Sequence, residues 1–349
     1  MERKTDCFGM LDLMMRPGFC VQNKKIVHVN PAAQALLLMP GTDVQTLLLT
    51  GQEEYSNFSG GCLYVKLALS ANGCGACVVR WEDYDVFLLD LEEDEAVLRA
   101  LSLAARELRE PLTSMMICAD HMRACDSDPD AAARMNRSIH QMLRLIGNMS
   151  DAGRSVSASR QETVDIAALL AEVFEKVQAL TEKTGLTLRY RGPSGEIPGL
   201  ADGQQLERAV LNILSNAIKF TPKGGCIDAM LTRQGQMLRL SITDSGSGIA
   251  ESILRNVFCR YLRQPGIEDS RHGLGLGMVL IRSAAANHGG TVLIDQPDGK
   301  GTRVTMTLAI RQSTETTLRS PVMRIDYTGE RDHGLVELSD SLPLAAYEK

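Results

Sequence analysis

The chain has 349 residues, 44% of them hydrophobic but only 4% aromatic, and a formal net charge of −6. That length leaves room for two or three domains. The acidic balance argues against nucleic acid or an anionic membrane as partner, and no run approaches the ~20 apolar residues of a membrane-spanning helix. The opening Met1-Glu2-Arg3-Lys4 begins no apolar signal core, so a cytoplasmic location is expected. Nine cysteines without a disulfide-like framework are expected to be reduced there. Cys74-Gly-Ala-Cys77 is a lone C-x-x-C with Cys62 as the one nearby addition. A zinc site takes about four ligands, so these read as small residues packed at a strand turn.

In chain order, residues 18–38 read as strand, hairpin, strand and short helix, with Asn30-Pro31 opening the helix. Strand-like runs follow at 62–69 and 76–91, which predicts a small α+β domain over residues 1–90. The stretch "KKIVHVNPAAQALL" resembles the PAS sensor fold. From 91 the period becomes helical: Leu98, Leu101, Ala105, Leu108, Leu112, Met115, Ala119 and Met122 step by threes and fours. Cys125 to Asp130 break that helix, and Ala132, Met135, Ile139, Met142, Ile146 and Met149 form a second seam. A helical hairpin over 91–155 with an uncovered seam predicts a homodimer closed by a four-helix bundle. Residues 160–311 mix helices (165–184, 202–220, 275–288) with strands (186–191, 226–232, 237–243, 291–295, 303–310), an α/β sandwich. Residues 312–349 form an extension with a strand-like run at 322–327 and an apolar patch at 342–346.

Three segments of the sandwich carry polar groups in useful places. On the helix 202–220, Leu206, Val210, Ile213 and Ala217 face the core, while Asn212, Asn216 and Lys219 share another face. Carboxamide oxygens suit Mg²⁺ and an ammonium suits phosphate. The strand Leu238–Ile242 runs into Asp244, placed to accept a hydrogen bond from an exocyclic amine, with Gly246 and Gly248 allowing close approach of backbone. Gly273, Gly275 and Gly277 precede an apolar helix whose N–H groups suit phosphate oxygens.

Together and in this order, "NILSNAIKFTP", "DSGSGI", "VFCRYL" and "GLGLGM", closed by "NHGG" and "GT", resemble the ATPase domain shared by histidine kinases, DNA gyrase and related chaperones. The resemblance implies a Bergerat-type ATP-binding domain with ATP and Mg²⁺ as cofactors. It assigns Mg²⁺ to Asn216 with Asn212 in support, phosphates to Lys219, Arg260 and the glycines, and adenine to Asp244, under a lid at 249–272. ATP-hydrolysing relatives place a Glu where Asn212 stands; Asn accepts no proton at neutral pH, which favours the kinase branch. Arg271 stands where kinases have the first glycine of the last motif.

The acceptor motif of sensor histidine kinases has the form His-Glu-x-x-Thr/Asn-Pro-Leu, and Arg106 to Leu112 resemble it with two changes. Arg106 stands in the place of the phosphate-accepting His and Glu110 in that of the Thr/Asn. A guanidinium has no lone pair to offer, so Glu107, the matching base, has nothing to activate. His121 and His140 are not followed by such a motif and read as helix-surface residues. The expected function is an ATP-binding signalling protein that does not autophosphorylate at the usual position, with a response regulator or an active histidine kinase as partner. The alternative is a kinase acting in trans on a partner's His or on Ser.

Overall fold

The computed structural model describes residues 7–70, 73–90, 129–152, 161–250, 276–297, 300–311 and 332–347, with seven further helical positions between Ala104 and Met116. The expectations for Arg106, Glu107, His121, Arg260, Gly273, Gly275, most of the lid and the run at 322–327 lie outside the described residues.

The N-terminal part begins with α1 (Cys7–Asp12), β1 (Gly18–Gln22) and β2 (Lys25–Val29). Asn23 and Lys24, at φ 51° and 65°, make the left-handed pair that a two-residue hairpin turn takes. Asn30 is fully buried; its Oδ1 accepts from the Gly18 and Ala33 N–H groups and its Nδ2 donates to the Leu11 and Arg16 carbonyls. β3 (Leu48–Thr50), α2 (Gln52–Ser56), β4 (Cys62–Leu67), β5 (Cys74–Trp81) and β6 (Tyr84–Leu89) follow. The single run expected over 76–91 is two strands, because Glu82 at φ 51° reverses the chain. Alternate residues bury both faces of this sheet: Phe19, Leu63, Val78 and Phe87 on one, Cys20, Cys62, Cys77 and Val86 on the other.

Pro129 opens α3 (Pro129–Ala152), a position where its missing N–H costs nothing. Ala105 and Leu112 of the preceding helical segment are buried with Ile139, Leu143 and Ile146 of α3, while Leu108 and Met115 are each 48% exposed. His140 is not on the surface as expected. It is 3% exposed, with its ring edge-on to Tyr347 at 5.2 Å.

The second half comprises β7 (Glu162–Asp165), α4 (Ile166–Thr181), β8 (Thr187–Arg191), β9 (Pro198–Ala201), α5 (Gly203–Phe220), β10 (Cys226–Gln234), β11 (Met237–Asp244), α6 (Gly277–Asn287), β12 (Val292–Asp295) and β13 (Thr302–Ala309). α7 (His333–Glu337) and a 3₁₀ turn at Leu344–Tyr347 close the chain. β7 pairs with β9 in a separate two-stranded sheet. The remaining strands form one eleven-stranded sheet in the order β2-β1-β6-β5-β4-β12-β13-β11-β10-β8, with β3 on β4.

That order joins the two halves edge to edge, since β4 pairs antiparallel with β12 through Tyr64–Val292, Leu63–Leu293 and Cys62–Ile294. Beside this seam lies Arg282 of α6, only 2% exposed. It donates to Asp90 Oδ1 at 2.9 Å and lies 5.0 Å from the Tyr64 ring centre. Tyr64 donates to the other Asp90 oxygen at 2.8 Å, and Arg16 also pairs with Asp90. A buried guanidinium is tolerable only with such partners. Arg282→Leu is expected to lower unfolding stability by about 2 kcal/mol, since Asp90 keeps Arg16. A lower urea midpoint is the predicted reading, and an unchanged midpoint contradicts the role assigned to this link.

Candidate functional site

The candidate site is assembled around α5. Asp202 caps its start, accepting from the Gln205 N–H at 3.0 Å. Leu206, Val210, Ile213 and Ala217 enter the core, none above 4% exposed. Between Leu206 and Ser215 the opposite face is buried as well: Glu207, Arg208, Asn212 and Ser215 are also at 4% or below. The residues expected to share a face therefore part company. Asn212 is 1% exposed, whereas Asn216 is exposed and Lys219 half-buried, its Nζ 5.1 Å from the Phe220 ring centre.

Asn212 is held by protein groups. Its Nδ2 donates to the Arg208 carbonyl at 2.9 Å and to Glu337 Oε2 at 3.5 Å, and its Oδ1 accepts from Arg144 Nη2 at 3.5 Å. A Cβ on Gly277, at the head of α6, would come within 3.0 Å of that same oxygen.

Asp244 ends β11 on the inward phase of its alternation and is 9% exposed. Oδ1 accepts from the N–H groups of Gly246 at 2.8 Å and Thr302 at 3.2 Å. Burial pushes the carboxyl above its ordinary range, against the pull of these bonds and of the Thr302 hydroxyl. The surrounding backbone leaves no room for side chains. A Cβ on Gly246 would lie 2.5 Å from the Phe220 carbonyl oxygen, and one on Gly301, at φ +66°, would strike the Asp244 carbonyl. Gly248 takes φ +76° beside Gln296, which bonds to the Ile249 carbonyl. A fixed carboxylate at the end of a strand, among close-packed glycines, can accept a hydrogen bond from an amine. An exposed carboxamide and an ammonium on the adjoining helix can meet a hard cation and an anion. No group of three His, Cys, Asp or Glu side chains among the described residues is placed to hold a metal, so a cation here would draw on Asn216 and on oxygens of its ligand.

Sequence reasoning placed Asp244, Gly246, Gly248 and Asn216 in this region. It missed Thr302 as a partner of Asp244, although the Gly301-Thr302 pair was a usable signal. It also missed Arg208, on α5 itself, and Arg144 and Glu337, which share no local pattern with α5. His288 of the "NHGG" stretch joins the frame: its Nε2 accepts from the Asp202 N–H at 3.0 Å, so Nδ1–H donates to the Ala284 carbonyl at 2.7 Å. Among the described residues it thereby ties the end of α6 to the cap of α5.

Residues 201–312 match the family described as "Histidine kinase-, DNA gyrase B-, and HSP90-like ATPase". The chain is 32% identical over 222 residues to the Histidine protein kinase DivJ of Caulobacter vibrioides, covering 61% of this chain and 37% of that one. It is 25% identical over 241 residues to the Sensor-like histidine kinase SenX3 of Mycolicibacterium smegmatis, covering 64% and 62%. The chain thus spans between 37% and 62% of the length of these relatives. Among solved structures, full-length ShkA in complex with AMPPNP superposes with a TM-score of 0.51 at 22% identity, over 61% of this chain and 46% of that one, a likeness of fold.

Burial holds His288 below the ordinary histidine range. The folded state then binds its proton less readily than the unfolded chain, so stability is present above that range and is lost as pH falls through it. The urea midpoint is expected to fall from about pH 7 to about pH 5, and to fall less steeply in His288→Gln. Equal slopes for the two proteins contradict this assignment.

Proposed function

We propose, from the premise that the chain carries a histidine kinase-, DNA gyrase B- and HSP90-like ATPase domain and is a relative of sensor histidine kinases, that it is an Mg·ATP-binding signalling protein of the two-component type. The observation that carries the reading is Asp244: a buried carboxylate at a strand end, oriented by the Gly246 and Thr302 N–H groups among close-packed glycines. It is suited to hold the adenine amine, and the buried setting adds specificity, because a ligand without the amine leaves the carboxylate one donor short.

Asn216 is assigned to Mg²⁺, which would screen the charge of the phosphates, and Asn212 to their support. Lys219, Arg260, Gly273, Gly275 and Gly277 are assigned to the phosphate oxygens. Asn212 in place of a general base disfavours water as the attacking group. Arg106 in place of an acceptor His disfavours autophosphorylation at that residue, since a guanidinium has no nucleophilic lone pair. The reading therefore has a PAS-like sensor unit (1–90), a dimerising hairpin (91–155) and an ATP-binding domain (160–311) that act through conformation or a partner, either a response regulator or an active histidine kinase. The half-exposed Leu108 and Met115 support pairing of two hairpins. Phosphotransfer in trans to a partner's His or to Ser is the second reading, favoured by nucleotide-site residues that persist beside the altered acceptor.

The test combines binding and labelling. Asp244→Asn keeps the side chain's shape but turns part of it from acceptor to donor, and a loss of at least about tenfold in Mg·ATP affinity is expected. Wild type with γ-labelled ATP is expected to acquire no acid-labile phosphate. Unchanged affinity in Asp244→Asn contradicts the adenine assignment. Acid-labile label on the wild-type chain contradicts the loss of autophosphorylation.

A further inference from the structure

The extension beyond residue 311 has no counterpart in the reading above, yet its described part, 332–347, is bound tightly into the fold. Leu338, Leu342 and Tyr347, each at 1% exposure or less, enter the main hydrophobic core, and Val336 enters the core shared by α3 and the preceding helical segment. Glu337 has no solvent exposure at all. Its carboxylate accepts from Arg208 Nε at 3.0 Å and lies 3.6 Å from Arg144 Nε, while Asp340 takes Arg144 Nη1 at 2.7 Å. The Ser341 hydroxyl lies 3.0 Å from that of Ser215 on α5. A buried carboxylate without cations would be strongly unfavourable, and here two guanidinium groups converge on it. The cleft between α3 and α5 is therefore a built receptor for an acidic, apolar segment, and its occupant is this chain's own 332–347.

What that segment covers gives it a consequence. Glu337 stands 3.5 Å from Nδ2 of Asn212, whose remaining partners are Arg208 and Arg144. With the segment docked, Asn212 is 1% exposed and an anion would have to approach a fixed carboxylate. We infer that residues 332–347 are an intramolecular inhibitor: docked between α3 and α5 they withhold Asn212, and Mg·ATP binds fully only when they leave. The inference rests on the nucleotide reading of the site. Docking and nucleotide binding are then mutually exclusive in proportion to how far each depends on Asn212.

A reversible lock tests this on the full chain. In Ser215→Cys/Ser341→Cys the two introduced thiols stand where hydroxyls are 3.0 Å apart. Mild oxidation by oxidised glutathione, itself reduced in the exchange, joins them and holds the segment in place; wild type treated alike controls for the native cysteines. Mg·AMPPNP affinity, measured by calorimetry, is expected to be at least about tenfold weaker in the locked form and to return on reduction. Glu337→Gln, which keeps the shape but removes the charge that both arginines meet, is expected to bind several-fold more tightly than wild type. Equal affinity in the locked and reduced forms, or weaker binding by a folded Glu337→Gln, overturns the inference while leaving the nucleotide reading intact. Absence of binding in locked, reduced and wild-type protein alike overturns that reading and the inference with it.

Discussion

The carboxylate of Glu337, closed off from solvent between Arg208 and Arg144, is the interaction on which the arrangement of the helices depends. Removing both arginines would leave the Glu337 carboxylate buried and uncompensated, at a cost of about 3–5 kcal/mol. The pair also draws in neighbours: Arg208 bonds to Asn148 and pairs with Asp151 near the end of α3, and Arg144 reaches both Asn212 and Asp340. One carboxylate from the end of the chain thus cross-links α3 to α5 and sets what the polar face of α5 can reach. Arg suits the task because its planar fork meets several acceptors at once.

α5 serves two masters through this geometry. Its apolar stripe anchors it on the sheet, so that its last turn brings the Phe220 carbonyl against Gly246, next to Asp244. Its first turns are clamped by charges from α3 and α7. α6 lies alongside, with Gly277 against Asn212 at its head and Arg282 bound to Asp90 farther along. The N-terminal sheet therefore touches the same helix that abuts the candidate site, through one buried ion pair and the β4–β12 seam. Contiguous packed elements of this kind are what energetic coupling between two sites travels through.

Local pattern made most of the second half legible. β11 announces itself by strict alternation ending in Asp244, and α5 by its apolar stripe and its Asp202 cap, because both signals lie within one element. The glycines around Asp244 were legible for the same reason. What sequence did not reveal is long-range. Glu337 lies 125 residues from Asn212, and nothing in either segment announces the other. Asn212, Asn216 and Lys219 read as sharing one face of α5, because the cover that buries Asn212 alone among them comes from the far end of the chain. His140 looked exposed for the same reason, since its lid is Tyr347. The short β7 and β9 carry Pro198 and Gly199, poor strand formers that pairing with each other overrides. The run at 76–91 was read as one strand because a turn at Glu82-Asp83 lacks the glycine that usually marks one.

Two proposals meet at neighbouring elements: that Asp244 at the end of β11 receives adenine, and that the chain's own 332–347 hold Asn212 of α5 away from the phosphates. A crystal structure of the full chain with Mg²⁺ and a non-hydrolysable ATP analogue addresses both most directly. The account predicts the adenine amine on the Asp244 carboxylate, Asn212 turned to the metal and phosphates, and Glu337 withdrawn from Arg208. Nucleotide seated at Asp244 with Glu337 still between Arg208 and Asn212 would contradict it.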